Sequence, residues 1–300
     1  MKTVAVTGAS GLVGTHFCRF FALRGWNVRA LVRDPEDALS LGSRSDSIPR
    51  FRCRLPGEVD PAGLAGANVL VHCAYATRGQ DLADAQRINI AGTHELIELG
   101  RELRIERIVF ISSLSASATS RSYYGRSKHA IEQTLAPLAD LILRPGLVLS
   151  AEGSGLFQRL RDTIARSRFI PVFTGEEAIL QTVHVDDLCA ALERAIELEL
   201  TGALNVAEDE GWPFVRFLGE VAARLGKSCV PVRLPATPAL WTLRALEALH
   251  LSAPVTSENL LGLLGMRRVS TAADLQRLGL QVRTAAESLD AILGRRSFQR

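Results

Sequence analysis

Residues 4–14 of the 300-residue chain read VAVTGASGLVG, and this stretch decides the expected fold. Its first four residues form a short apolar run typical of a buried strand, and residues 12–23 carry apolar side chains at helical spacing. Three glycines at intervals of three, Gly8, Gly11 and Gly14, lie at the junction. We expect Gly8 to permit a tight turn, Gly11 to let the backbone approach a pyrophosphate, and Gly14 to let the helix pack closely.

The start of that helix predicts the ligand of the turn. Backbone amides around Ser10, Leu12 and Val13 lie at a helix N-terminus, where amides lack intrahelical partners and carry partial positive charge. Such an end attracts phosphates. A glycine triplet alone is weak evidence, but here it follows a strand and opens an amphipathic helix. The stretch therefore predicts a dinucleotide site rather than a structural glycine turn.

The remainder of the first half repeats strand and then helix. The apolar strands do not alternate with polar residues, which indicates a parallel sheet covered by helices on both faces. The predicted fold class is therefore α/β, a Rossmann doubly wound parallel sheet. The expected strands are residues 28–32, 69–73, 107–111 and 141–143, with helices over about 86–103 and 123–135.

After Pro145 the pattern changes to shorter segments separated by glycine and proline. Helices are expected over 212–225, 238–250 and 256–264, and strands over 181–185 and 203–206. We therefore divide the chain into residues 1–150, a nucleotide-binding domain, and residues 151–300, mostly a smaller helical cap. Segments near 181–206 are expected to return to the sheet. The apolar series of the 238–250 helix favours core over partner surface: Leu240, Trp241, Leu243, Leu246 and Leu249.

Composition excludes several classes of function. The formal net charge is only +3 and no basic cluster occurs, so binding to nucleic acid is not expected. The five cysteines stand singly without a CxxC pair, which predicts reduced thiols and no metal site. No cleavable signal and no apolar run of about 18 residues is present, so we expect a cytoplasmic protein without a membrane partner.

A second motif carries the chemistry. Tyr124 and Lys128 are four residues apart in a chain with only three tyrosines and three lysines. On a helix this spacing places the phenol and the ammonium on one face. A nearby positive charge favours the phenolate and is expected to lower the pKa of the tyrosine toward neutrality, where it can act as a general acid or base. The alternative is an incidental pair on a solvated helix.

The end of the second predicted strand bears on the type of dinucleotide. NAD sites usually have an acidic residue there, about 20 positions beyond the glycines, to bind the ribose hydroxyls. Here Arg33 occupies the place and Asp34 follows it. A guanidinium suits a 2′-phosphate in geometry and charge, so NADP(H) is preferred over NAD(H). If Arg33 is instead a solvated charge beside Asp34, NAD is the alternative cofactor.

Glycine turn and Tyr-x-x-x-Lys together resemble the short-chain dehydrogenase/reductase superfamily, in its extended, epimerase/dehydratase-type branch. Other segments in the same order support the resemblance: VHCA at 71–74, NIAGT at 89–93, FISS at 110–113, RPG at 144–146 and VHVDD at 183–187. Residues 28–35, VRALVRDP, are similar to the second strand of dihydroflavonol-type NADPH reductases. The expectation for Arg33 is strengthened by this similarity.

The resemblance implies roles for individual residues. Tyr124 would be the proton donor or acceptor, Lys128 would bind the nicotinamide ribose, and Ser113 would orient the substrate oxygen, with Ser112 as the alternative. The implied cofactor contacts are Gly8, Ser10, Gly11, Leu12, Val13, Gly14, Arg33, Cys73, Ala74, Tyr75, Ser112, Tyr124, Lys128, Pro145, Gly146 and Val148. His72 is interpreted as a structural histidine and Asn89 as a helix cap.

The sequence thus predicts hydride transfer between NADP(H) and a small-molecule substrate, a ketone or secondary alcohol. One alternative is a nucleotide-sugar epimerase that holds NAD tightly, and another is a regulatory protein that binds NADP(H) without turnover. Relatives commonly pair through the helices corresponding to residues 89–103 and 123–135, so a homodimer is expected. Substrate identity and reaction direction are left open by the sequence.

Overall fold

The computed structural model describes residues 2–36, 47–76, 82–153, 155–174, 177–249, 251 and 255–294. The strands are β1 (Thr3–Thr7), β2 (Asn27–Val32), β3 (Arg50–Arg54), β4 (Glu58–Val59), β5 (Val69–His72), β6 (Arg107–Ile111), β7 (Leu141–Pro145), β8 (Leu147–Leu149), β9 (Phe169–Thr174), β10 (Ile179–Leu180), β11 (Thr182–His184), β12 (Gly202–Val206), β13 (Trp212–Pro213) and β14 (Val230–Pro235). The predicted strands are all present, within one or two residues.

The helices follow the strands as the periodicity indicated. They are α1 (Leu12–Leu23), α2 (Leu82–Gln86), α3 (Gly92–Glu102), α4 (Tyr123–Glu132), α5 (Leu156–Arg166), α6 (Val185–Glu197), α7 (Phe214–Arg224), α8 (Ala236–Ala248), α9 (Ser257–Leu264), α10 (Ala272–Leu278) and α11 (Ala285–Leu293). A wider π-helical turn, Arg87–Ala91, joins α2 to α3.

The main sheet has the order β12-β7-β6-β5-β1-β2-β3-β4. Every neighbouring pair is parallel except β3 and β4, which are antiparallel. Because β1 lies in the middle and the chain moves outward in both directions from it, the carboxyl ends of these strands meet at one edge. The predicted Rossmann doubly wound sheet is confirmed, and ligands of such sheets bind at that edge.

The two strands expected to rejoin the main sheet, near residues 181–185 and 203–206, pair with different sheets. β12 joins the main sheet beside β7, as expected for residues 203–206. β11 instead pairs with β8 in a separate two-stranded sheet, with Val183 opposite Val148. The expectation that residues 181–185 rejoin the main sheet is therefore wrong, because β8 turns away from β7 at Gly146 and takes β11 with it.

Buried side chains form three clusters. One packs α1 and α6 against the sheet around Phe17, Phe21 and Leu192, and another packs α3 and α4 against its opposite face around Leu96 and Ile131. The third belongs to the cap, where Phe157, Phe217 and Leu289 join α5, α7 and α11. Continuous apolar strands in the sequence follow from this arrangement, since both faces of the sheet are covered.

Helix α8 lacks buried side chains, contrary to the prediction that its apolar series forms core. Trp241 is 69% exposed and Leu249 68% exposed. Leu240, Leu243 and Leu246 are half-buried on the inner face. The correction follows from position, because α8 lies at the outside of the cap with one face packed on α9 and the other uncovered.

Three further observations bear on the composition-based expectations. All five cysteines are free thiols. Within the described ranges, no helix is long and apolar enough to cross a membrane, and no group of three or more His, Cys, Asp and Glu side chains is arranged to hold a metal ion.

Candidate active site

The glycine turn closes against the loop that follows β5. Gly8 has φ +62°, in the left-handed region that favours glycine. A Cβ at this position would lie 2.8 Å from the backbone of Ala74, and a Cβ at Gly14 would collide with the carbonyl oxygen of Gly8. The Gly11 amide donates to that same carbonyl over 2.9 Å. Only glycine therefore fits at positions 8 and 14.

Helix α1 begins at Leu12 with Gly11 as its N-cap, a residue that has no side chain to accept a hydrogen bond from the first-turn amides. The Thr15 amide makes the helix's first bond, to the Gly11 carbonyl over 2.9 Å. The amides of Leu12 and Val13 are thus left to an external acceptor. Ser10 and Gly11 are exposed beside them. This end of α1 fits the pyrophosphate of a dinucleotide.

Arg33 directly follows the last residue of β2 and is exposed. Its guanidinium has no hydrogen bond or ion pair with the described residues. Asp34 is engaged in a local turn, where its carboxylate accepts from the Glu36 amide over 3.2 Å. The carboxyl end of β2 therefore presents an uncommitted positive charge rather than a ribose-binding carboxylate.

A chain of buried hydrogen bonds fixes the end of β5. Thr93 Oγ1 donates to the Asn89 carbonyl over 2.6 Å, so it accepts from His72 Nε2, 2.9 Å away. His72 Nδ1 then accepts from Thr7 Oγ1 over 2.6 Å. Burial and the charge of Lys128 lower the pKa of His72 to about 3, which keeps the ring neutral. His72 thus has the structural role that was predicted.

The loop after β5 is held over the glycine turn by the same threonine. Thr7 Oγ1 accepts from the amides of Cys73 and Ala74, each over 3.2 Å. Asn89 binds the backbone of Ala76 twice, with its side-chain oxygen accepting over 2.7 Å and its nitrogen donating over 3.0 Å. Asn89 is therefore a loop anchor rather than the predicted helix cap, because it lies inside the continuous α2–π–α3 helix.

Tyr124 and Lys128 lie on one face of α4, as the spacing predicted. Ser122 is the N-cap of this helix and accepts from the Gly125 amide over 3.2 Å. The Lys128 side chain is buried, with Nζ 5.9 Å from the centre of the Tyr124 ring. Tyr124 is 37% exposed and lies at the open side of the site. The helix therefore places Tyr124 at the open side of the site and the ammonium beneath it.

Aromatic rings and a carbonyl surround the Lys128 ammonium. Nζ donates to the Ile111 carbonyl over 2.7 Å, at the carboxyl end of β6. The ring centres of Tyr75 and Phe110 each lie 4.5 Å from Nζ. The Tyr75 hydroxyl is 2.5 Å from Ser127 Oγ, and its ring meets the Tyr124 ring edge-on at 5.2 Å. The Tyr75 ring thus packs against both Tyr124 and Lys128.

These surroundings reverse the expected effect on the tyrosine. Desolvation raises the pKa of Tyr124 above its usual value of about 10, and the neighbouring Ser113 hydroxyl opposes this increase. Desolvation also lowers the pKa of Lys128 to about 7, against the attraction of Cys73 and Glu132. The prediction of a lowered tyrosine pKa is not met in this structure, because Lys128 is itself desolvated and interacts with Ile111 and the rings.

The two serines after β6 have different partners. Ser112 is buried, and its hydroxyl donates to Glu132 over 2.5 Å. Ser113 is half-buried, lies 2.9 Å from Ser115 Oγ, and interacts with Tyr124. The geometry favours Ser113 over Ser112 beside the phenol. Contact of a cofactor with the Ser112 hydroxyl, which was predicted, is not favoured because that hydroxyl is already bound.

The segment after β7 closes the site on the cap side. The Pro145 carbonyl accepts from the Leu114 amide over 3.0 Å, and the Gly146 amide donates to the Val206 carbonyl over 3.2 Å. A Cβ at Gly146 would collide with the Gln181 carbonyl oxygen. Val148 is half-buried in β8. This tight junction brings the segment to the edge of the sheet, and its contact with a cofactor stays a prediction.

Sequence reasoning missed the buried ion pair under the motif. Glu132 lies four residues after Lys128, and Arg144 binds both of its oxygens, with Nε to Oε1 over 2.9 Å and Nη2 to Oε2 over 2.5 Å. Because Glu132 lies four residues after Lys128, it is on the same face of α4, and this spacing could have indicated its place in the site. A second missed residue, Glu258, accepts from the Tyr123 amide over 2.6 Å. It comes from α9, and no local pattern links it to Tyr123.

The fold and the site define the class of protein. A doubly wound sheet carries a glycine turn at its carboxyl edge, with a tyrosine and a lysine beside it. The residues fit a nicotinamide dinucleotide, as tested above at the start of α1. The sequence pattern of the NAD dependent epimerase/dehydratase family matches residues 4–207, and the chain belongs to this family.

Individual relatives agree with the family. The chain is 30% identical over 257 residues to a ceramide reductase of Caulobacter vibrioides, covering 81% of this chain and 76% of that protein. It is 28% identical over 215 residues to a 4-hydroxy-2-methyl-3-oxo-4-farnesyl-3,4-dihydroquinoline-1-oxide ketoreductase of Stigmatella aurantiaca, covering 64% of each.

The fold is shared with solved structures at lower identity. A human epimerase family protein determined with NADPH superposes with a TM-score of 0.72 at 16% identity, covering 98% of this chain and 99% of that one. Other structures of this fold were determined with NAD. The chain is thus an NAD(P)-dependent oxidoreductase of the extended short-chain dehydrogenase/reductase type.

Proposed function

We propose that the protein uses NADP(H) to interconvert a ketone and a secondary alcohol, with Tyr124 as general acid or base. The observation that carries this proposal is the placement of Tyr124 over buried Lys128, with Ser113 beside the phenol, at the carboxyl edge near the glycine turn. The two relatives that are named reductases support a reductive reaction.

The protonated phenol suits reduction. Because desolvation raises the pKa of Tyr124 above its usual value, its hydroxyl is a proton donor at neutral pH. A ketone oxygen that accepts this proton would become the alcohol oxygen, and the carbonyl carbon would take the hydride that NADPH supplies when bound. Ser113 is placed to donate a second hydrogen bond to the same oxygen and stabilise its developing charge. We therefore propose reduction as the favoured direction.

Lys128 has two roles in the proposal. Its position under Tyr75 and Tyr124 suits a hydrogen bond to a ribose hydroxyl of the dinucleotide, as the resemblance implies. Its attachment to the Ile111 carbonyl fixes the end of α4 to the end of β6, where Ser113 follows two residues later. The lysine thereby holds phenol and serine at a constant separation.

Arg33 supports the choice of NADP(H). An uncommitted guanidinium at the carboxyl end of β2 is positioned for a 2′-phosphate. Substitution Arg33→Ser should raise the KM for NADPH about 10- to 100-fold, the range for a hydrogen bond to a charged group, while the KM for NADH changes little. A control substitution at Arg19, which is exposed on α1, should affect neither. Equal losses for both cofactors would contradict the assignment of Arg33.

A nucleotide-sugar epimerase would use the same motif but would retain its cofactor. Purified protein, denatured without added cofactor, should release little NAD or NADP according to the proposal. Release of one equivalent of NAD, together with no net NADPH oxidation by ketones, would favour the epimerase instead. Binding of NADPH without any turnover would favour the regulatory alternative.

We also propose a homodimer formed through the outer faces of α3 and α4. Leu138, just beyond α4, is 92% exposed and would become covered in such a pair. Light scattering checks the proposal, and a monomer at micromolar concentration would remove it.

A further inference from the structure

A cavity of about 310 Å³ lies between the cap and the start of α4. Its walls include Ala236 and Leu240 on α8 and Leu261 and Leu264 on α9. These four side chains give the cavity an aliphatic wall. An aliphatic wall binds apolar groups because water beside it lacks hydrogen-bond partners.

Carboxylates tie both cavity helices to the catalytic helix. Glu247 of α8 accepts from the amide and the hydroxyl of Ser257, each over 2.7 Å, at the first residue of α9. Glu258 of α9 accepts from the Tyr123 amide over 2.6 Å. Gly262 faces Ser122 closely, since a Cβ on Gly262 would lie 4.0 Å from that of Ser122. The cavity is therefore held at a fixed distance from the phenol.

The other three described lining residues are polar. Thr174 and Thr237 add hydroxyls, and Arg121 is the one charged residue among the described residues that line the cavity. The Arg121 guanidinium has no hydrogen bond or ion pair within the described part of the chain. A nucleoside diphosphate brings two phosphates and a polar base, which this wall does not match. One cation beside an aliphatic wall suits an amphiphile.

Distance along the chain sets the size of that amphiphile. Arg121 precedes Tyr124 by three residues, so their Cα atoms are at most about 11 Å apart. A substrate whose carbonyl meets Tyr124 must extend past Arg121 before it enters the cavity. Small ketones would leave the cavity unused, whereas a long chain would fill it.

We infer that this cavity, which we term the chain pocket, binds the apolar chain of an amphiphilic carbonyl substrate, with Arg121 against a polar acceptor group between chain and carbonyl. The inference rests on the proposed ketone reduction and specifies its substrate class. It also assigns a function to the inner face of α8, whose leucines do not form core.

Chain length gives a direct test. The probes are n-alkyl 3-oxobutanoates, in which the ester group lies between the ketone and an unbranched alkyl chain of four to twelve carbons, reduced with NADPH. Each added methylene buried in the chain pocket should raise kcat/KM about three- to fourfold, until the pocket is full. Leu264→Trp, which fills the pocket, should lower the ratio of long-chain to short-chain kcat/KM, and Ala236→Leu should do so more mildly if the first variant fails to fold.

A matched control lies on the opposite face of the same helix. Trp241→Ala removes an exposed ring outside the chain pocket and should leave the chain-length profile unchanged. Arg121→Met should lower kcat/KM at every length, because the acceptor group is common to the series. Reduction of the four-carbon probe with a flat profile would overturn the inference and leave the proposed function standing. If neither the probes nor simple ketones oxidise NADPH, both the inference and the proposed function are wrong.

Discussion

At the scale of single residues, burial controls the chemistry of the site more than the spacing of its charges. Tyr124 and Lys128 were placed correctly by their four-residue separation. The directions of their pKa shifts were not predictable, because Tyr75 and Phe110, which desolvate Lys128, come from the loop after β5 and from β6. A lysine with a pKa of about 7 is only partly charged at neutral pH and depresses the tyrosine less than a full charge would.

The buried lysine predicts a pH dependence of stability. In the unfolded chain Lys128 has a pKa near 10.5, and in the folded protein it is about 7, so the unfolded state binds more protons between these values. The free energy of unfolding should therefore rise with pH across this window, relative to Lys128→Met, by up to about 1.4 kcal/mol per pH unit. Urea denaturation of both proteins at several pH values measures the difference. A flat or falling difference would contradict the assigned burial.

The two serines after β6 offer a matched pair of substitutions. Ser113→Ala should lower kcat about 10²- to 10³-fold, the usual effect of losing a hydrogen-bond donor to the reacting oxygen. Ser112→Ala should affect kcat less and instead cost about 1–3 kcal/mol of stability, since it leaves the buried Glu132 with one partner fewer. Steady-state kinetics and urea denaturation separate the two effects. If Ser112→Ala lowers kcat more than Ser113→Ala does, Ser112 and not Ser113 is the hydrogen-bond donor to the reacting oxygen.

At the scale of elements, the β1–α1 unit was predictable in detail because its signals are local. Three glycines, an apolar strand and an amphipathic helix lie within twenty consecutive residues, and each acts through the backbone. β8 and β11 were harder to place. Their pairing depends on where the chain turns at Gly146, next to the Gln181 carbonyl, and this contact joins segments 35 residues apart in sequence.

The glycine turn supplies a prediction for the helix that it opens. Gly14→Ala should lower the free energy of unfolding by about 1–3 kcal/mol, because its Cβ would collide with the Gly8 carbonyl, and should weaken dinucleotide binding. Gly219 in α7 is the control, since a Cβ there meets no atom within 4 Å among the described residues. Gly219→Ala should raise that free energy by about 0.5–1 kcal/mol through helix propensity. If both variants are destabilised by similar amounts, the effect of alanine arises from its place in a helix and not from the glycine turn.

At the scale of the whole molecule, the sheet and the cap differ in how far the sequence determines them. The order of motifs along the chain was sufficient for the sheet and the cofactor class, while the roles of the central residues stay predictions. The cap required tertiary information, because Glu247, Glu258 and Arg121 become a site only through contacts between α8, α9 and α4. We propose that substrate recognition depends on these contacts, which the helical periodicity of the cap does not encode.

Reduction by the whole protein depends on a proton from Tyr124, and this is the central claim. The decisive measurement is NADPH oxidation by wild type and Tyr124→Phe with a ketone that the wild type reduces, alongside NADPH affinity by fluorescence titration. Removal of the general acid should lower kcat about 10²- to 10⁴-fold while the Kd for NADPH is nearly unchanged. Equal kcat in the two proteins would contradict the account.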